Sequence, residues 1–435
     1  MSTTSLTLQA LLKRAASRAG FGGDRALAGL TPAAKGFAVA AAAAEGLTVL
    51  VVPSDADVEQ AVADIRFFLG AMEGLSEHEL CLHVLPCPSH EVDPYRGLAP
   101  HFDVAAARGR ALHGLANCSA RVVVVAAAAL LPRVSPPARL LRAGCSLVVG
   151  ALLEPPDLSD QLADAGYTPE DPVDAHGEFC IRGGVVDFFP PGEDQPIRAE
   201  FAGDSLESLR RFDPATQRST ATLDRAEVLP LQETFDNELN PHGTGPDRSA
   251  WFGDYVVGVP AGRLFLSEAE ESQRVLGARL AQAATGFADA EERGDTVLPP
   301  EALLVDAPTL DAWLKAATRL EQLWENDDAD DTVRHVPCQP VVEFHGRLAD
   351  WAAELTRIRE RDETALLVAS TPGRAERVIE LLAEYDLRAL SIDQADETMG
   401  AALLVATGQL TRGFRLPNAG LQFFAEPDVF DEARR

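Results

Sequence analysis

Positive charge is scarce in this chain of 435 residues. Lysine and arginine together number 38, against 67 aspartate and glutamate residues, which gives a formal net charge of −29. A surface of this sign repels the phosphate backbone of nucleic acids unless its few cations are clustered. The composition therefore argues against autonomous nucleic-acid binding. It is equally compatible with a chain that is kept soluble by its charge.

Cysteines and long apolar runs are also few. Six cysteines are spread over the chain and none forms a C-x-x-C pair, so the sequence predicts no zinc site. We expect Cys118, Cys145 and Cys180, which lie in or beside apolar runs, to be reduced and partly buried. The N-terminus has no basic-then-apolar leader, and the apolar run at 37–44 is too short to span a bilayer. These absences predict a cytoplasmic protein with no membrane contact, metal or cofactor.

What the sequence does contain is a series of short strand patterns between residues 177 and 212. Apolar and polar residues alternate through 179–183 and again through 197–201, which is the period of half-buried strands. A Pro-Pro-Gly turn separates the two runs, and Gly203-Asp204 predicts a two-residue hairpin before 205–212. The pattern predicts a β-meander that presents these arginines from ordered strands: Arg182, Arg198, Arg210 and Arg211.

One face of this meander is predicted to be polar. Strand alternation places Arg198 and Glu200 together, opposite Ile197 and its apolar neighbours, and it places Arg182 on the face of Cys180. Planar guanidinium groups on a flat sheet suit bidentate recognition of carboxylates, as in a protein-docking surface. The residues alone leave open the alternative of an ordinary solvated sheet face.

Two other regions predict α/β structure. Between residues 20 and 130, buried strands at 48–52 and 121–126 flank helical patterns, which is typical of a parallel sheet. We expect Asp55 to cap the helix after the first strand and Gly70 to end it. Near the other end of the chain, strands are predicted at 365–369, 403–407 and 421–424, with a helix at 373–384.

A phosphate-binding loop is suggested, in degraded form, by the segment 29–36. A working loop reads G-x-x-x-x-G-K-[ST], and here Gly29 and Lys35 have the right spacing. However, Ala34 replaces the second glycine and Gly36 replaces the hydroxyl residue that would bind Mg²⁺. Pro32 removes one N–H that would hold phosphate. We therefore expect a degenerate loop that caps a helix, without nucleotide hydrolysis.

A group of histidines carries no recognisable catalytic pattern. His83, His90 and His101, with Glu91, are spaced in a way that matches no zinc motif on one helix face. We expect this region to be a loop followed by a packed helix.

The meander closely resembles the second domain of the bacterial transcription-repair coupling factor, a domain shared with protein B of the nucleotide excision nuclease. In both families this module docks on protein A of that nuclease (excinuclease protein A). The resemblance implies that Arg182, Arg198 and Glu200 form the centre of that contact, with Phe179 supporting the strand. Tyr167 is followed by Thr168 where the family often has arginine, so one contact is expected to be missing.

The resemblance also implies the domain organisation. Residues 1–132 and 224–325 would form a discontinuous, degenerate P-loop and helicase-like α/β domain. Residues 133–223 would be the inserted α+β meander domain. An acidic linker at 326–337 would lead to a small α/β third domain at 338–435. The degenerate loop fits the coupling factor, since excinuclease protein B keeps an intact one.

The function implied is that of a non-catalytic module of transcription-coupled nucleotide excision repair that recruits excinuclease protein A. Direct DNA binding is expected to be weak or absent. RNA polymerase binding belongs to a part of the family that would follow residue 435. The alternative is a nucleotide-dependent repair enzyme related to excinuclease protein B, with an atypical phosphate loop.

Overall fold

The fold is that of a computed structural model, which describes residues 7–22, 26–236, 245–256, 263–324, 333–392 and 403–430. The strands are β1 (Ala26–Ala28), β2 (Thr48–Val52), β3 (Val84–Cys87), β4 (Val122–Ala126), β5 (Arg133–Val134), β6 (Cys145–Val148), β7 (Thr168–Pro169), β8 (Glu178–Arg182), β9 (Val185–Phe188), β10 (Ile197–Ala202), β11 (Ser205–Phe212), β12 (Ser219–Leu223), β13 (Arg225–Val228), β14 (Ala250–Trp251), β15 (Leu264–Ser267), β16 (Thr318–Glu321), β17 (Val333–His335), β18 (Gln339–Pro340), β19 (Thr364–Ala369), β20 (Ala389–Ser391), β21 (Leu403–Thr407), β22 (Phe414–Leu416) and β23 (Leu421–Ala425). The α-helices are α1 (Leu8–Ala19), α2 (Pro32–Ala43), α3 (Asp55–Glu73), α4 (Glu77–His83), α5 (Phe102–Ala116), α6 (Pro137–Ala143), α7 (Pro155–Asp164), α8 (Phe252–Tyr255), α9 (Ala269–Glu292), α10 (Pro300–Leu303), α11 (Ala307–Leu314), α12 (Leu348–Glu360), α13 (Pro372–Ala383) and α14 (Glu426–Val429).

A seven-stranded parallel sheet forms the first unit, in the order β17-β1-β16-β15-β2-β4-β3. Its strands come from two parts of the chain, because β15, β16 and β17 return to lie among β1–β4 after the intervening β5–β14. Every residue of β2 and β4 is buried, as expected for strands with helices on both faces. The predicted α/β class and parallel sheet are confirmed here.

The predicted ends of helix α3 are both wrong. The N-cap is Ser54, whose hydroxyl accepts from the N–H of Asp57 while the Asp57 carboxylate accepts from the N–H of Ser54. The helix continues through Gly70 and ends at Gly74, which adopts a left-handed conformation (φ 76°). A Cβ on Gly70 would lie 2.7 Å from the Leu80 side chain, so this glycine allows close packing instead of ending the helix.

A six-stranded sheet, in the order β12-β11-β10-β9-β8-β7, is the predicted meander. It is antiparallel except where the short β7 lies parallel to β8. Gly203-Asp204 makes the predicted tight connection between β10 and β11, with Gly203 at φ 64°. Helix α7 covers the inner face, where Leu158 and Leu162 join the apolar core. Ile181 is 40% exposed, against the expected alternation.

The third unit is a mixed sheet in the order β18-β22-β23-β19-β21-β20. The strands and the helix predicted for this region are confirmed. The linker predicted at 326–337 differs in part, because Val333–His335 is a strand that pairs in parallel with β1. The acidic run at 326–331 lies outside the described residues.

The first and third units share one apolar core. Phe37 on α2 and Phe68 on α3 have ring centroids 4.6 Å apart, and both pack against Phe414 and Phe423 of the third sheet. Beside this cluster, the buried Asp64 carboxylate accepts hydrogen bonds from the backbone N–H (2.9 Å) and the hydroxyl of Thr411. The two units therefore meet through close-packed side chains.

The cysteines are reduced in the structure, but they differ in burial from the expectation in one case. Cys145 and Cys180 are partly buried, whereas Cys118 is exposed. The reason is that Cys118 lies in the turn just after α5, with φ 59°. None of the described helices is both long enough and apolar enough to cross a membrane.

Candidate protein-docking site

The register of the meander brings the predicted polar residues onto one face. Across the strands, Arg198 lies opposite both Asp187 and Arg210. In the next row, Glu200 lies opposite Val185, which in turn is opposite Arg182. The predicted residues Arg182, Arg198 and Glu200 are therefore close neighbours on the outer face of the sheet.

Phe179 lies on the other face. It is 4% exposed and faces Phe188 of β9 in the core beneath the sheet. Its side chain cannot reach a partner on the polar face. Its contribution is limited to supporting β8, which carries Arg182.

Arg198 is partly buried, with 19% of its side chain exposed, and it is bonded to the sheet. Its Nε and Nη2 donate to the two carboxylate oxygens of Asp187 at 2.7 and 2.8 Å, and the guanidinium lies 4.6 Å above the ring of Phe212. The bonds to Asp187 raise the pKa of Arg198 above its ordinary value. Asp187 is 3% exposed, so Arg198 compensates a buried carboxylate and anchors β10 to β9.

Arg182 and Arg210 are the exposed cations of the face. Arg182 forms an ion pair with Asp171, and its side chain is 47% exposed. Arg210 lies 3.4 Å from Glu200 and its side chain is 43% exposed, while Glu200 also accepts a hydrogen bond from Ser208. Solvent-exposed ion pairs of this kind cost little to break, so these groups are available to a partner. Arg211 also forms an ion pair, with Glu193.

The backbone beside Arg182 leaves room for a partner. Gly183 adopts φ 61° at the tip of the hairpin between β8 and β9, with no atom within 4 Å of the position of a Cβ. Gly184 lies so close to the Phe201 carbonyl that a Cβ would come within 2.9 Å of its oxygen. Thr168, the position of the expected missing arginine, is exposed in the edge strand β7.

The lysine of the degenerate phosphate loop is bonded to other side chains of the first unit. The segment does precede a helix, but α2 already begins after Thr31, so residues 32–36 of the predicted loop are helical. Lys35 is buried and its amine donates to Ser267 Oγ at 2.9 Å. The amine also forms an ion pair with Glu268. A neighbouring cavity of about 300 Å³ is lined by Lys35 together with the acidic residues Asp57, Glu268 and Glu271, and with the buried Asp64, whose pKa burial raises to about 7. This charge arrangement disfavours a phosphate anion.

The predicted histidines do not come together as a metal centre. His83 contacts the Ser119 carbonyl, His101 caps α5, and His90 lies 3.0 Å from Glu233. Among the residues that the structure describes, no group of three histidine, cysteine, aspartate or glutamate side chains could hold a metal ion.

Two protein-family models match parts of the chain. Residues 145–234 match the UvrB interaction domain, and residues 358–429 match the MFD, D3 domain. The first match contains the meander and its polar face. The second contains most of the third sheet.

Relatives that match parts of the chain agree with these family models. The transcription-repair-coupling factor of Escherichia coli is 26% identical over 79% of this chain and 33% of its own length. That of Bacillus subtilis is 23% identical over 71% of this chain and 30% of its own length. UvrABC system protein B of Synechococcus elongatus is 34% identical over 26% of this chain and 17% of its own length. The chain spans about a third of the first two relatives, and it is similar to their N-terminal part.

Proposed function

From this similarity to the transcription-repair-coupling factors, we propose that the chain is a non-catalytic protein-binding module of transcription-coupled nucleotide excision repair. It recruits excinuclease protein A through the outer face of the six-stranded sheet. The observation that carries the proposal is the position of Arg182 and Glu200. Both lie on one accessible face inside the region that matches the UvrB interaction domain.

The chemistry of this face suits a protein partner. Arg182 and Arg210 present guanidinium groups, and Asp171 and Glu200 present carboxylates, so the face can exchange its own weak ion pairs for pairs with a complementary surface. Arg198 acts as a positioning residue. Its bonds to Asp187 fix the strand pairing that sets the spacing of the exposed charges.

The proposal is tested by calorimetric titration of the full chain with excinuclease protein A from the same organism, at about 150 mM salt. Arginines at the centre of interfaces are frequent hot spots, so Arg182→Ala is expected to weaken binding about tenfold or more. Glu200→Ala is expected to weaken it in the same direction. Arg225→Ala is the matched control, because Arg225 is an exposed, ion-paired arginine of the separate β6–β13 pair.

Two results would contradict the proposal at different levels. If wild-type chain does not bind excinuclease protein A, the function is wrong. If wild-type chain binds but Arg182→Ala and Glu200→Ala bind equally well while remaining folded, the partner uses another surface.

A further inference from the structure

A second site is indicated by a cavity of about 440 Å³ at the carboxyl edge of the first sheet. It opens where the segment after β3, the segment after β4 and the middle of helix α9 meet. Cavities of 300–1,000 Å³ hold small molecules, and the carboxyl ends of parallel strands are where α/β sheets bind them. This cavity is separate from the polar face of the meander and from the degenerate phosphate loop.

The walls of the cavity combine apolar surface with arginines. Leu98, Leu131 and Leu303 supply part of the apolar surface. Three arginines from distant parts of the chain also line it: Arg133, Arg248 and Arg279. Three carboxylates line the cavity as well, namely Glu91, Asp93 and Glu233, of which Asp93 pairs with Arg96 and Glu233 with Arg108. The wall is therefore less negative than the chain as a whole, whose net charge is −29.

The side chain of Arg248 lines the cavity and carries a donor that lacks an acceptor among the described residues. Its Nε is buried and has no hydrogen-bond partner within the described part of the chain. Burial lowers the pKa of Arg248, which the nearby Glu233 only partly offsets. Buried polar groups in folded proteins nearly always have partners, so this donor at the wall of the cavity is available to a ligand, an ion or a water that enters it.

Glu233 does not accept from Arg248 Nε, because its two carboxylate oxygens are bound by Arg108 and His90. Its Oε2 accepts from Arg108 Nε at 2.8 Å, and its Oε1 lies 3.0 Å from His90 Nε2. Arg108 is itself buried and also donates to the carbonyls of Pro88 and Ala129. The network compensates the charge of Glu233 and fixes the back wall of the cavity. Among the described residues, no carboxylate forms an ion pair with Arg248.

The other two arginines have only part of their donors occupied. Arg133 donates from Nε to the carbonyls of Glu301 and Leu304, and Arg279 donates from Nη1 to Gln282. No other hydrogen bond of these guanidinium groups occurs within the described residues. An oxyanion in the cavity would find free guanidinium donors on its walls, and guanidinium groups bind phosphate and carboxylate strongly.

We propose that this cavity binds a small anion in which a phosphate or a carboxylate is attached to an apolar group. The arginines hold the oxyanion, and the leucine-lined wall holds the apolar part. Organic phosphates and organic carboxylates share this chemistry, and the titration described next distinguishes them.

The test is a ligand-observed NMR titration of the full chain with three probes: phenyl phosphate, benzoate and the uncharged benzyl alcohol. We expect at least one anion to bind with Kd below about 1 mM, and benzyl alcohol to bind at least about tenfold more weakly. Arg248→Gln and Arg279→Gln should each weaken the anion about tenfold. Arg274→Gln is the control, since Arg274 lies exposed on the same helix, pairs with Glu271 and does not line the cavity.

Tighter binding of phenyl phosphate than of benzoate would identify the anionic group of the ligand as a phosphomonoester. Tighter binding of benzoate would identify it as a carboxylate. Failure of both anions to bind at about 10 mM would overturn the proposal. So would equal binding of benzyl alcohol, since the cavity would then select only for apolar groups. If Arg248→Gln does not fold, Arg279→Gln decides, and unchanged anion binding by that folded variant would also overturn it.

Discussion

Arg182 and Arg198 lie on the same face of the meander, but Arg182 is available to a partner whereas Arg198 stabilises the sheet. Arg182 is exposed and pairs with the exposed Asp171. Arg198 makes a bidentate bond to Asp187, which is buried. Removing Arg198 leaves the buried charge of Asp187 uncompensated, whereas an exposed pair contributes little.

We therefore expect Arg198→Ala to lower the free energy of unfolding by about 3 kcal/mol. Arg182→Ala is the matched control and should change it by no more than about 0.5 kcal/mol. Urea denaturation followed by circular dichroism measures both. A double variant, Arg198→Ala with Asp187→Ala, should lose less than the sum of the two single changes. Equal losses for the two arginine variants would show that the Asp187 pair does not stabilise the sheet.

The sequence could predict which face of the sheet each of these arginines lies on, but it could not predict which acidic residue each one pairs with. Alternation along a strand fixes which side chains share a face, and it placed Arg182, Arg198 and Glu200 correctly. The bond between Arg198 and Asp187 depends on how β9 and β10 align, which alternation does not determine. The signal that could have found it is a lone acid, Asp187, within an apolar strand.

Helix α2 shows how an element can keep the position of a phosphate loop without its chemistry. Gly36 lies where α2 crosses α3, and a Cβ there would come 2.9 Å from the Cβ of Asp64. The glycine that replaces the Mg²⁺-binding hydroxyl is therefore required by packing. The sequence predicted the degeneracy from missing groups, but this crossing and the ion pair of Lys35 with Glu268 need the folded structure.

Restoring the hydroxyl should damage the fold and create no nucleotide site. We expect Gly36→Thr to lower stability by about 2 kcal/mol, because α2 and α3 must move apart. Calorimetry should show no binding of Mg²⁺-ATP, since the Lys35 amine is held by Ser267 and Glu268. Gly277→Thr is the control, because Gly277 of α9 has open space around it. Micromolar Mg²⁺-ATP binding by wild-type chain, lost in Lys35→Ala, would instead favour the enzyme alternative.

Across the molecule, Asp64 makes the contact between the first and third units sensitive to pH. Burial raises the pKa of Asp64 to about 7, although the hydrogen bonds from Thr411 oppose this. In the unfolded chain the pKa is about 4. Between these values the folded protein holds a proton that the unfolded chain has released, so stability falls as pH rises from about 4 to 7.

Asp64→Asn should remove this contribution. We expect the fall in the free energy of unfolding between pH 4 and 7 to be smaller in Asp64→Asn than in wild type, by urea denaturation at both pH values. Asp311→Asn, at an exposed position, is the control for the general effect of removing one acid from a highly acidic chain. Identical slopes in wild type and Asp64→Asn would mean that Asp64 titrates alike in both states.

The charge of the whole chain also predicts weak binding to duplex DNA. The arginines of the meander face lie beside carboxylates, and the net charge of −29 opposes association with phosphates. A gel-shift assay at about 150 mM salt should show no sub-micromolar complex. A tight complex at that salt concentration would show a cationic path that the described residues do not reveal.

The alternation of strands and helices predicted the α/β units at both ends of the chain. It could not predict that they share a core, because the contact between Asp64 and Thr411 joins residues 347 positions apart. Periodicity reports which residues are buried within an element. It does not report which distant element covers them.

The cluster of Phe37, Phe68, Phe414 and Phe423 has a consequence for how this protein can be divided. All four side chains are fully buried, two contributed by each unit. A chain cut at the start of the third unit would expose the rings of Phe37 and Phe68 to water as an apolar patch that favours aggregation. The third unit is thus no detachable module, and shortened versions of this protein that keep the first unit should retain the third to remain monodisperse.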